Sequence, residues 1–170
     1  MKSRKLKPAL LIKKREELPI LGPALIDLLR AVLDKEALFR FRAKGFSMVP
    51  FIKDDDVVTV SPLWGGSPGV GDVVAFVSPY SERLVVHRVV GKKGDHYLIK
   101  GDSAREPDGL VPRINILGRV RAVERNGKEI LLGLGPERVL IARLTRNGLI
   151  LNLLLPIWRL IRPIARRWAT

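Results

Sequence analysis

Ser47, His87 and the two aspartates Asp102 and Asp108 are the residues whose types and settings could together do chemistry. Serine is a weak nucleophile until a base takes its proton. Histidine performs that role near neutrality. A carboxylate on the second ring nitrogen orients the imidazole and stabilises its charged form. Such a set supports acyl transfer. Each member also has an ordinary structural explanation. Ser47, in Gly45-Phe46-Ser47-Met48-Val49-Pro50, could simply sit in a turn. His87 lies in Leu84-Val85-Val86-His87-Arg88-Val89-Val90, where a strand period of two puts it with Val85 and Val89 and sends Arg88 the other way. A histidine among valines is shielded from water, which favours the neutral, proton-accepting ring. A core histidine with one hydrogen bond would look the same. Asp102 and Asp108 fall in the loop Lys100 to Gly109, where Asp beside Gly and Pro is commonly a turn or cap residue. Lys100 is a competing base; Arg88 is not, because arginine keeps its proton in proteins.

The elements that must position these residues follow from periodicity. Residues 24–38 repeat apolar positions at helical spacing, with Leu25, Leu28, Leu29, Val32 and Leu33 on one side and Pro23 at the first turn. From Leu38 the period becomes two, and Phe39, Phe41 and Ala43 alternate with Arg40, Arg42 and Lys44. Strands are expected at Asp56–Val60, Asp72–Val77, Leu84–Val90, His96–Lys100, Ile114–Glu124 and Lys128–Leu132. Asn126-Gly127 between the last two is a hairpin signal. This predicts a mainly β domain over 38–132, preceded by a basic arm and amphipathic helix over 1–37. A basic helical tail over 133–170 follows. Pro136–Thr145 reads as one helix of that tail, stopped at Asn147-Gly148. Ile150–Trp168 reads as a second, with an apolar arc opposite Arg159, Arg162 and Arg166, the pattern of a helix lying in a membrane interface.

The formal net charge of +14 has a location. Residues 1–15 hold seven Lys or Arg and no acid; residues 138–170 hold seven Arg and no acid. The middle holds 17 basic and 17 acidic residues and is neutral. Cationic ends on a neutral body suit an anionic surface, either lipid headgroups or nucleic acid. The tryptophans at 64, 158 and 168 are not spaced as a base-stacking platform, which argues against nucleic acid. The uncharged run Asn147–Trp158 has 12 residues, short of the ~20 a spanning helix needs. With no cysteine, two histidines and no metal-ligand spacing, thiol chemistry is excluded and zinc is not indicated. No Gly-rich phosphate loop occurs. His96 beside Gly94-Asp95 reads as exposed, and Asp54-Asp55-Asp56 as a solvated turn.

Four boxes carry a family resemblance. Gly45-Phe46-Ser47-Met48-Val49-Pro50 resembles the Ser-Met-x-Pro box of type I signal peptidases. Gly71-Asp72-Val73-Val74-Ala75-Phe76 is similar to their Gly-Asp-Val-Val-x-Phe strand, and Val86-His87-Arg88-Val89-Val90 to the strand bearing the general base. Lys100-Gly101-Asp102, with Asp108 six residues on, resembles their Gly-Asp box. The boxes keep the family's order over about 45–120. The resemblance implies a signal peptidase/LexA-like β peptidase domain of the S24/S26 superfamily, acting as a serine endopeptidase without a cofactor. Ser47 would be the nucleophile. His87 would be the base, as in the archaeal and endoplasmic-reticulum branch, where the common bacterial branch has lysine. Asp108 is then the better candidate for the orienting acid, with Asp102 supporting. The implied substrate is a precursor protein or peptide, and the arginine-rich C-terminal helix would hold the enzyme peripherally on a membrane surface. Two positions depart from the family. Gly45 stands where a serine usually helps bind the oxyanion, which leaves that task to backbone N–H groups, chiefly that of Ser47. A short charged helix stands where an anchor normally precedes the serine box. A glycine at the position of Gly45 also occurs in LexA-like self-cleaving peptidases. The alternatives are therefore a soluble, cytoplasmic peptidase that processes itself or one partner, or an inactive module binding lipid or nucleic acid through its basic ends.

Overall fold

The computed structural model describes residues 22–150 and Asn152. The basic arm at 1–15 and nearly all of the helix expected over Ile150–Trp168 lie outside the described residues. No helix among the described residues is long and apolar enough to cross a membrane. The element order is α1 (Pro23–Leu33), β1 (Phe39–Arg42), β2 (Val57–Ser61), β3 (Val73–Val77), β4 (Leu84–Lys93), β5 (His96–Lys100), β6 (Gly109–Pro112), β7 (Ile116–Arg125), β8 (Lys128–Glu129) and α2 (Arg138–Arg146). A single 3-10 turn at Arg113–Asn115 separates β6 from β7. The protein is mainly β, as expected.

The eight strands of the described residues form one antiparallel sheet in the order β1-β2-β7-β3-β4-β5-β6, with β8 paired to β7. The centre of the sheet is covered on both faces. On β3, Val73 and Ala75 enter one core cluster with Val58, Val60, Val120 and Val123, while Val74 and Phe76 enter a second with Val89, Ile99, Val111 and Ile116. A strand buried on both sides reads as a continuous apolar run, as Val73–Val77 does. Edge strand β1 instead keeps the alternation, with Phe39 and Phe41 partly buried and Arg40 and Arg42 exposed. At the hairpin Asn126 and Gly127 both have positive φ, 52° and 73°, the geometry that a two-residue loop between twisted strands requires.

Helix α1 covers the first cluster through Leu29 and Leu33. Each such burial contributes about 1.5–3 kcal/mol. Its buried stripe is Ile26, Leu29 and Leu33, rotated from the expected face so that Leu28 is exposed. The helix also stops at Leu33 instead of running to Leu38, because Glu36 takes a positive φ of 57° and turns the chain into β1. Helix α2 packs Ile141 against Phe51 and Ile150 in a third, small cluster. Strand β6 was not expected: four residues offer too short a period, and its pairing with β5 organises it. Ile114, read as a strand residue, lies in the 3-10 turn and is exposed.

The acidic turn is more than a solvated face. Asp54 accepts the Gly45 N–H at 2.8 Å, and Asp55 pairs with Lys44, whose ammonium holds that carboxyl below the ordinary aspartate range. Asp56 is buried and takes a two-pronged bond from Arg125, at 2.8 and 2.6 Å. Those contacts fix both ends of the segment that carries Ser47.

Candidate active site

Ser47 lies on the turn that leaves β1. Met48 and Ile52 beside it are buried in the first core cluster, and the N–H groups of Phe51 and Ile52 both bond to the Met48 carbonyl. The anchored neighbours hold the turn while Ser47 stays at its half-buried rim and Phe46 is 71% exposed. Gly45 has φ of 100°, a conformation that side chains rarely adopt. A Cβ there would meet open space, so the backbone angle alone calls for glycine.

His87 lies on β4, opposite Val74 of β3, and is 8% exposed. Its Nε2 is 2.7 Å from Ser47 Oγ, and its Nδ1 is 2.6 Å from Asp108 Oδ2. An ionised carboxylate only accepts, so Nδ1 carries the hydrogen toward Asp108. Nε2 is then the acceptor for the Ser47 hydroxyl. Asp108 is held at the end of β5 by its own N–H, which bonds to the Ile99 carbonyl at 2.9 Å. The structure thus joins Ser47, His87 and Asp108 in one hydrogen-bonded chain across separations of 40 and 21 residues.

Asp102 is not part of that chain. It is fully buried and accepts Nε and Nη2 of Arg88, at 2.8 and 2.7 Å, and the Thr145 hydroxyl at 2.7 Å. Arg88 points away from His87, as the strand period requires, but into the interior and not to solvent. It is 0% exposed and also bonds the carbonyls of Gly71 and Gly133. Lys100 pairs with Arg88 across the ladder, out of phase with His87, and makes no hydrogen bond to Ser47. His96 is exposed.

Two residues of the 101–108 loop matter for reasons the sequence did not signal. A Cβ at Gly101 would stand 2.8 Å from the Ser47 carbonyl oxygen and 3.0 Å from His87 Nε2. Only the missing side chain lets nucleophile and base approach there. Ser103 then ties the two segments together. Its N–H bonds to the Ser47 carbonyl at 2.8 Å, and its hydroxyl to the Phe46 carbonyl at 2.6 Å. A glycine directly before Asp102 was visible, but its neighbours came from elsewhere in the chain.

The N–H of Ser47 has no acceptor among the described residues, whereas that of Gly45 is taken by Asp54. An unengaged N–H beside a nucleophile is positioned to meet a developing oxyanion. Among the described residues, no three His, Asp or Glu side chains are grouped as metal ligands.

A comparison with known families bears on the mainly β scaffold that carries these residues. The model of the Peptidase S24-like family covers residues 14–121, more than half of the chain. The chain belongs to the S24-like peptidase family. No curated protein individually matches it. The family assigns the general activity, that of a serine peptidase. The matched span contains Ser47, His87, Asp102 and Asp108, and ends before α2.

Proposed function

We propose that the protein is a serine endopeptidase in which Ser47 is the nucleophile, His87 the general base and Asp108 the orienting acid. The hydrogen-bonded chain at 2.7 and 2.6 Å carries this reading. Ser47 Oγ attacks the scissile carbonyl as its proton passes to His87 Nε2. The carbonyl oxygen becomes an oxyanion, for which the Ser47 N–H, unengaged among the described residues, is a donor. His87 returns the proton to the leaving amine, which departs and leaves an acyl-serine. Water, losing its proton to His87, then releases the acid. Asp108 holds the ring and offsets its transient positive charge.

The substrate reading follows the four boxes: a precursor peptide, cut in the manner of a signal peptidase, by an enzyme held on a membrane surface by its arginine-rich C-terminal segment. The matching family and Gly45 favour a second reading, a LexA-like peptidase that clips itself or one partner. One experiment separates them. The purified full chain is incubated alone and with a precursor peptide, and both are followed by intact mass. Cleavage of the added peptide, with the enzyme unclipped, supports the first reading. A clip in the chain itself supports the second. Either cut must vanish in Ser47→Ala; activity that survives in that variant sinks the assignment of the nucleophile.

A further inference from the structure

We propose that Thr145 of α2 is a positioning residue for the Ser47–His87–Asp108 site, acting through Asp102. The inference rests on the peptidase reading of that site. It also places part of the apparatus outside the span that the family model matches, since α2 begins 17 residues after that span ends.

Asp102 has two carboxylate oxygens and three donors. Oδ2 receives Arg88 Nη2; Oδ1 receives both Arg88 Nε and the Thr145 hydroxyl. All of the side chains involved are buried, Thr145 at 1% exposure. In a dry setting a hydrogen bond to a carboxylate is strong, and its loss leaves a charged oxygen short of a partner. Asp102 therefore depends on α2.

What Asp102 holds is the machinery on both sides of it. Gly101, the preceding residue, lies against the Ser47 carbonyl and His87 Nε2. Ser103, the following residue, clamps Phe46 and Ser47 through two hydrogen bonds. Arg88, the ion-pair partner, is the immediate neighbour of His87 on β4. A displacement of Asp102 thus reaches the nucleophile by the loop and the base by the strand. From the other side, Arg88 bonds the Gly133 carbonyl, and Glu137 accepts the Gly133 N–H at 2.7 Å just before α2. The helix is tied to this network at both of its ends.

The test uses the full chain and the variants Thr145→Val, Thr145→Ser and Ile141→Ala. Two readouts are followed. One is the NMR signal of the Nδ1 proton that His87 donates to Asp108. The other is the rate at which Ser47 takes up a fluorophosphonate. Thr145→Val keeps the shape and removes the hydroxyl. It is expected to weaken or shift the Nδ1 signal and to lower the maximal labelling rate about tenfold, with the half-saturating probe concentration unchanged. Thr145→Ser restores both. Ile141→Ala removes packing from the same helix without touching Asp102, and should lower Tm while leaving both readouts at wild-type values. If Thr145→Val keeps signal and rate, or Ile141→Ala alters them equally, Thr145 merely holds the helix down and the proposal is overturned. Should Thr145→Val not fold, Thr145→Ala read in the same way decides. A wild-type chain that takes up no fluorophosphonate counts against the peptidase reading alone, because the Nδ1 signal needs no turnover and still decides the positioning.

Discussion

At the scale of residues, the site turns on which acid reaches which ring nitrogen. Asp108 contacts His87 and Asp102 does not, so the two carboxylates should fail differently. Asp108→Asn leaves an amide that can present a hydrogen to Nδ1, which forces the wrong tautomer. A comparable change in another triad costs about 10⁴ in kcat. We expect a loss of that order in peptide cleavage by Asp108→Asn, with an unchanged thermal transition. Gly101→Ala should also abolish cleavage, since its methyl would stand 2.8 Å from a backbone oxygen that cannot rotate away. Circular dichroism would check that the variant remains folded. Gly45→Ser puts a side chain at φ of 100°, which should destabilise the fold by about 1–3 kcal/mol in chemical denaturation, even though space for the side chain exists.

At the scale of elements, β4 serves two interiors at once. His87 faces the site while Arg88, one residue on, is buried on the other side and neutralises Asp102. Removing one partner of a buried ion pair leaves an uncompensated charge and costs about 3–5 kcal/mol. Asp102→Ala should therefore be strongly destabilising in urea. The double change of Asp102→Ala with Arg88→Met should recover part of that loss, which a double-mutant cycle would measure. The turn before α2 adds a pH dependence. Hydrogen bonds from backbone N–H groups, that of Gly133 first and then its own, with Gly135 adding less, hold the Glu137 carboxyl below the ordinary glutamate range. A depressed folded-state value means the contribution to stability is present above the unfolded glutamate value and is lost as pH falls through the folded one. Wild type should thus lose stability on acidification through that window by a component that Glu137→Gln lacks; identical pH profiles of Tm would remove the effect. The hairpin and the central strands were legible from periodicity. β6 was not, because its register comes from β5.

At the scale of the whole molecule, the net charge and the candidate site occupy different stretches of the chain. The excess of basic residues lies in the two ends, while the described body carries the site. If the C-terminal segment inserts an apolar arc, the full chain should co-sediment with anionic vesicles and remain bound at high salt. Release by salt would reduce the contact to headgroup electrostatics, which are screened. The same sedimentation with neutral vesicles measures the apolar part alone. Activity on a precursor peptide should rise with vesicle binding only under the membrane-surface reading; a self-clipping peptidase would be indifferent to vesicles.

The sequence alone determined the mainly β class, the strands carrying His87, and the short list of candidate residues, because strand period and turn chemistry are local. Helix α1 was legible as a helix, but its length and buried face were not, since its end depends on a turn and its face on the sheet beneath. The loop holding Asp102 and Asp108 offered two acids of equal chemistry at a few residues' separation. The family resemblance ranked Asp108 first, and tertiary packing supplies the physical reason. Arg88 is buried on the far face of β4 and needs a carboxylate there, and the Thr145 hydroxyl, 43 residues downstream of Asp102, donates to that same carboxylate. Pairing of this kind depends on which groups the fold removes from water together, and no local pattern records it.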